Sequence, residues 1–125
     1  MDETAFKAAY NESRNGTNTF IRNLLYRTFV YSEGVRDCAD AGCYWLLDIL
    51  GTELPLEFKR RPDESLCVVK VKVQNGKATI LGEFVDDDPA PYQRQVDYTD
   101  MPEGEWVFYV EHGGELFYCI LPTEY

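Results

Sequence analysis

A chain of 125 residues that is 45% hydrophobic and 14% aromatic is long enough for one packed core and too short for two. Its 12 basic and 22 acidic side chains leave a formal net charge of −10, which removes the basic footprint that direct binding of nucleic acid or an anionic lipid surface requires. No apolar run approaches the roughly 20 residues of a membrane-spanning helix. The acidic start Met1-Asp2-Glu3-Thr4 is unlike a secretory signal, so a single cytoplasmic domain over residues 1–125 is expected.

Residues 2–12 predict a short helix with Ala5, Phe6, Ala9 and Tyr10 on one stripe, and Asn15-Gly16-Thr17-Asn18 reads as a stop and restart. A second helix is expected to carry Phe20, Ile21, Leu24 and Leu25 and to run on through Phe29. Ser32 then suits the cap of a third helix, from about Glu33 to Leu50, ended by Gly51. Apolar residues go nearly all the way round that helix, as they do in one central to a domain. From Pro55 onward the pattern changes to strands. Leu66 to Val73 and Ala78 to Val85 flank the hairpin signal Asn75-Gly76, and Tyr92 to Tyr98 forms a more polar third run. Trp106 to Val110 and Leu116 to Leu121 form a last pair around Gly113-Gly114. Helices first and strands afterwards predict an α+β fold: N-terminal helices packed on one face of a four- to five-stranded antiparallel sheet. Its expected core holds Trp45, Leu46, Ile49, Val71, Ile80, Phe108 and Ile120.

Residues that carry chemistry are few. Cys38, Cys43, Cys67 and Cys119 lack the spacing and the histidine partners of a zinc site, and the apolar neighbours of Cys67 and Cys119 suit buried free thiols. His112 is the only histidine, with no acid or nucleophile at a recognisable spacing, and reads as a surface turn residue. Asp86-Asp87-Asp88-Pro89 lacks the alternating oxygens, the sharp glycine and the terminal glutamate of a calcium loop. No nucleophile elbow, phosphate-cradling loop or dinucleotide fingerprint occurs. No catalytic, cofactor-binding or metal residue is therefore assigned. Asp48, inside the apolar helix, is expected to be buried in an ion pair with Arg22, Arg27 or Arg36. Trp45 and Trp106 read as core aromatics.

Charge distribution is more telling. Residues 1–62 carry a net −1 and residues 63–125 a net −9. Glu83, Asp86, Asp87, Asp88, Asp97, Asp100, Glu103 and Glu105 stand against Arg94 alone between positions 83 and 105. Presented together, these carboxylates would make a negative field that speeds association with a basic groove, although solubility alone can also require such charge.

Three separated stretches stand out: Tyr31-Ser32-Glu33-Gly34-Val35 with Ala39-Asp40-Ala41-Gly42-Cys43-Tyr44-Trp45-Leu46-Leu47-Asp48, then Val96-Asp97-Tyr98-Thr99-Asp100-Met101-Pro102, then Leu121-Pro122-Thr123-Glu124-Tyr125. Together they resemble a family of small phage- and prophage-encoded proteins of unknown function. The resemblance implies a small accessory gene of the class that includes inhibitors of host defence. The expected function is that of a non-enzymatic inhibitor. It would bind a host protein with a basic nucleic-acid-binding groove, such as a CRISPR effector subunit, through the eight acidic residues named above. It would need no cofactor and touch neither nucleic acid nor membrane directly. A phage structural or assembly accessory acting as a homo-oligomer, and a small enzyme or ligand-binding domain, remain as alternatives.

Overall fold

A computed structural model describes residues 1–12, 19–23, 26–84 and 90–125. Asp2 caps helix α1 (Glu3–Asn11), its carboxylate accepting the Ala5 N–H at 3.0 Å. Strands β1 (Phe20–Arg22) and β2 (Phe29–Ser32) follow, then helices α2 (Glu33–Asp40) and α3 (Tyr44–Lys59). Five more strands come after them: β3 (Leu66–Gln74), β4 (Lys77–Glu83), β5 (Tyr92–Val96), β6 (Gly104–Gly113) and β7 (Leu116–Ile120). They form one sheet in the order β1-β2-β7-β6-β3-β4-β5. Every neighbouring pair is antiparallel except β2 and β7. A 3-10 turn, Pro122–Glu124, follows β7.

The helices cover one face of the sheet. Phe6 of α1 meets Trp106 edge-on at 5.1 Å, and Phe58 of α3 meets Phe84 at 5.0 Å and Phe117 at 5.5 Å. Alternation in β3 puts Cys67, Val69, Val71 and Val73 under the helices. Where β7 no longer reaches along β6, the Tyr10 hydroxyl accepts the free Val107 N–H at 2.9 Å. The β3–β4 turn forms as its residues dictate, with Asn75 and Gly76 at φ 54° and 73°.

The α+β class stands, but the sheet is larger than expected and mixed: seven strands, not four or five, with one parallel pair. The extra strands are β1 and β2, where a helix was predicted over Phe20 to Phe29. Short apolar runs fit either period, and here Phe29-Val30-Tyr31 finds a partner in Phe117-Tyr118-Cys119 of β7. Leu24 and Leu25 lie outside the described residues. The helix expected over residues 33–50 is two, separated at Gly42, whose φ of 132° no helix accepts. Gly51 does not end α3, which continues to Lys59 through Pro55. A Cβ at Gly51 would sit 3.2 Å from the Phe29 ring, so this glycine lets helix and strand approach.

Burial corrects further expectations. Leu46, Val71, Ile80, Phe108 and Ile120 are buried as predicted, while Trp45 and Ile49 are only half-buried. Asp48 is exposed, because α3 buries a single stripe (Leu46, Leu47, Leu50, Gly51, Leu54, Phe58) and Asp48 lies off it. It forms no ion pair with the three arginines among the described residues. Trp106 is half-buried between Phe6 and Tyr10 and donates its indole N–H to the Pro102 carbonyl at 2.9 Å. His112 is not a turn residue but the penultimate residue of β6, stacked on Phe117 at 4.3 Å.

All four cysteines are buried as free thiols. Burial pushes the Cys43 and Cys67 thiols from the ordinary 9 up to about 12 and raises that of Cys119 as well. The sign of the pH effect follows. Below the unfolded value of 9 the thiols are neutral in both states. Above it the unfolded chain ionises while the folded chain holds its protons, so stability is lost as pH climbs from 9 toward about 12. Urea melts at about pH 8 and about pH 10.5 are expected to show a lower midpoint at the higher pH. An alkylating agent should label the native protein slowly and the denatured protein at all four positions. Rapid native labelling would contradict the buried placement.

Candidate functional site

The quoted stretches meet in pairs. Tyr31-Ser32-Glu33-Gly34-Val35 lies against Leu121-Pro122-Thr123-Glu124-Tyr125. Glu124, only 3% exposed, accepts hydrogen bonds from the Ser32 hydroxyl, from the Gly34 N–H at 3.3 Å and from the Leu121 N–H at 2.9 Å. Ser32 in turn caps α2, accepting the Val35 N–H at 3.2 Å. This carboxylate fastens the residues after β7 to the start of α2. Three donors of the protein share its two oxygens, which makes it a structural anchor.

The second meeting place is open to solvent. Gly42 and Trp45, at the turn from α2 to α3, face Val96, Tyr98, Thr99 and Asp100 across a cleft of about 290 Å³. The loop from β5 to β6 that supplies the last three is tied down at several points. The Thr99 N–H donates to the Gly76 carbonyl at 2.8 Å, and the Thr99 hydroxyl accepts the Met101 N–H at 3.1 Å. Glu103 accepts the Asn75 N–H at 3.0 Å, and the Trp106 indole holds Pro102. Asp100 pairs with the Met1 amino group, which raises the pKa of the amine and lowers that of the carboxyl. Tyr98 is left 79% exposed at the mouth.

Carboxylates stand beside this cleft. Asp100 lines it, and Asp97 and Glu103 come from the same loop, all three exposed; Glu105, level with Lys72 at the start of β6, points to the opposite face of the sheet. On the helix side, Asp2 donates its N–H to the Ala41 carbonyl at 2.7 Å, and Asp40 accepts the Tyr44 hydroxyl. Aromatic and aliphatic walls with an acidic rim suit a cationic side chain, which gains both ring-face and Coulomb attraction there. Among the described residues no group of three or more His, Cys, Asp or Glu side chains is placed to hold a metal ion.

The profile of a family of unknown function, DUF6876, matches residues 7–125. The chain belongs to that family. No curated protein and no solved structure matches it. The matched span of this DUF6876 chain includes the Ser32–Glu124 anchor and every residue lining the cleft, while Met1 and Asp2 precede it.

The eight predicted site residues do not form one cluster. Asp97, Asp100 and Glu103 lie together on the tied loop. Glu105 begins β6, in register with Lys72. Glu83 sits apart, on the face of the sheet away from the helices, paired with Lys70 at 3.3 Å. Asp86, Asp87 and Asp88 lie outside the described residues. Charge counting missed the cleft walls. The pattern assigns Trp45 to the core and Tyr98 to a strand end, and Tyr98 is marked in the sequence by its acidic neighbours Asp97 and Asp100 and by the quoted stretch that contains it. No helix among the described residues is long and apolar enough to cross a membrane.

Proposed function

We propose that this protein is a non-enzymatic binding protein that docks its acidic, aromatic-walled cleft onto a basic surface of a partner. In the finer form of the proposal, the partner is a host protein whose basic groove handles nucleic acid, a CRISPR effector subunit for instance. The chain would then be a phage-encoded inhibitor acting in the cytoplasm. The observation that carries the reading is the tied loop: Asp97 and Asp100 stand beside Tyr98 and Trp45 on a backbone held by Thr99, Glu103 and Trp106. A loop that only solubilises has no need of fixed geometry. A prearranged acidic surface associates faster and loses less entropy on docking. The finer form rests on the resemblance of the quoted stretches to phage-encoded proteins and on the net charge of −10.

The test uses purified nucleic-acid-handling proteins, CRISPR effector subunits among them, over the immobilised chain. Binding is expected to weaken with salt, since screening shortens to about 8 Å at physiological ionic strength. Added DNA or RNA should compete for the partner. Asp97→Asn with Asp100→Asn should slow association about tenfold with little effect on dissociation. The fold should survive, because exposed ion pairs contribute little to stability. Tyr98→Ala should instead speed dissociation. Binding that ignores all three changes would remove the cleft from the interface, and binding untouched by nucleic acid would remove the groove from the partner.

A further inference from the structure

None of the three α-helices lies on the opposite face of the sheet, where among the described residues only the chain end at Tyr125 and Phe20 of β1 pack over it, and it does not read as a solvated face. An antiparallel sheet exposed on one side normally alternates apolar-in and polar-out. Here the outward positions include Leu66 and Val68 on β3, Leu81 on β4, Val107 and Tyr109 on β6, and Tyr118 on β7, all partly exposed, with Ile120 of β7 and Val30 of β2 buried on the same face. Tyr125 and Phe20, both exposed, pack edge-on against Tyr109 and Tyr118 at 5.1 Å each. On the two central strands of this face the charges are segregated, whereas β4 carries both Lys77 and Glu83. β6 presents Glu105 and Glu111, and β3 presents Lys70 and Lys72. Lys70 is paired with Glu83, but neither Lys72 nor Glu105 has an ion pair among the described residues.

We infer that this face pairs with the same face of a second copy of the chain. The register makes it self-complementary. Glu105 stands level with Lys72, Val107 with Lys70 and Tyr109 with Val68 across the β6–β3 ladder. A twofold axis parallel to the strands, midway between β6 and β3, lays β6 of one protomer over β3 of its partner at the same level. Each Glu105 then faces the partner's Lys72, so the dimer holds two such contacts, and each Tyr109 covers the partner's Val68. Face-to-face sheets pack about 10 Å apart, a gap that one lysine and one glutamate side chain span together. The matching of acidic strand to basic strand chooses a second copy over an unrelated protein, because a partner of one charge sign would meet repulsion from one of the two strands. The acidic cleft lies between α3 and the β5–β6 loop and stays open in this pairing.

Sedimentation equilibrium of the whole chain, over a concentration series, decides the matter. The expected result is a species of twice the 14.4 kDa chain mass. Lys72→Glu alone and Glu105→Lys alone should each weaken dimerisation at least tenfold, since each sets like charges opposite one another at both contacts. Mixing the two variants should restore the dimer. In the mixed pair every contact across the axis joins Glu to Lys, although within each chain the two neighbouring positions still carry the same sign. Recovery on mixing therefore cannot come from contacts inside one chain. Circular dichroism of each variant checks that it is folded. A wild-type chain that stays monomeric at its solubility limit would overturn the inference, as would a dimer indifferent to the single changes or a mixture that fails to recover.

Discussion

Replacing Glu124 with alanine is expected to lower the free energy of unfolding by about 3–5 kcal/mol, since it strands three donors at about 1–3 kcal/mol each before relaxation. The donors are the Ser32 hydroxyl and the N–H groups of Gly34 and Leu121. All three groups lie in a buried environment from which water has been excluded. Loss of the carboxylate also removes a negative charge near the start of α2, where helix polarity favours one. Glu124→Gln keeps one amide oxygen in place and should retain part of the loss-prone stability. Chemical denaturation of the three proteins measures the series. Alanine costing under about 1 kcal/mol would show that the residues after β7 are held by something else.

Phe58→Ala should cost about 3–5 kcal/mol, the range for removing a fully buried ring. Phe58 is 2% exposed and touches Phe84, Phe117 and His112, so its loss opens a void among side chains from α3, β6 and β7 and from the end of β4. A fall in melting temperature of roughly 10–20 °C is the calorimetric counterpart for a domain of this size. The neighbours leave little room for collapse: Arg61 lies 4.4 Å over the Phe84 ring, and His112 is stacked on Phe117. A melting curve that hardly moves would mean that α3 does not end against the sheet. Trp45→Ala should cost much less, because the cleft leaves that ring half-buried.

Local chemistry was plainly written in the residues. Asn75-Gly76 demands positive φ at both positions and made the expected hairpin. Ser32 capped a helix as expected, and alternation placed Val71 and Ile80 in the core. Each of these depends on a residue and its neighbours within a few positions. The same locality explains the failures. Gly51 looked like a helix stop because its reason for being glycine, the Phe29 ring, comes from a strand 22 positions earlier in the chain. Gly42 looked like one more small residue inside a helix, and its φ of 132° is set where the chain passes Met1.

The candidate site divides along the same line. That carboxylates gather between positions 83 and 105 is a property of composition, and any fold would have left most of them in water. Which of them share a surface was decided by pairing between distant segments. β4 carries Glu83 onto the open face beside Lys70, while hydrogen bonds to the β3–β4 turn hold the loop of Asp97 and Glu103 against the helix side. Sequence alone determined the charge, the α+β class, the hairpins and the apolar positions, because propensity and period act locally. Only tertiary structure decided that Phe29-Val30-Tyr31 is a strand: its backbone groups and β-branched and aromatic side chains are satisfied by β7, about 90 residues away, and no local pattern encodes that partner.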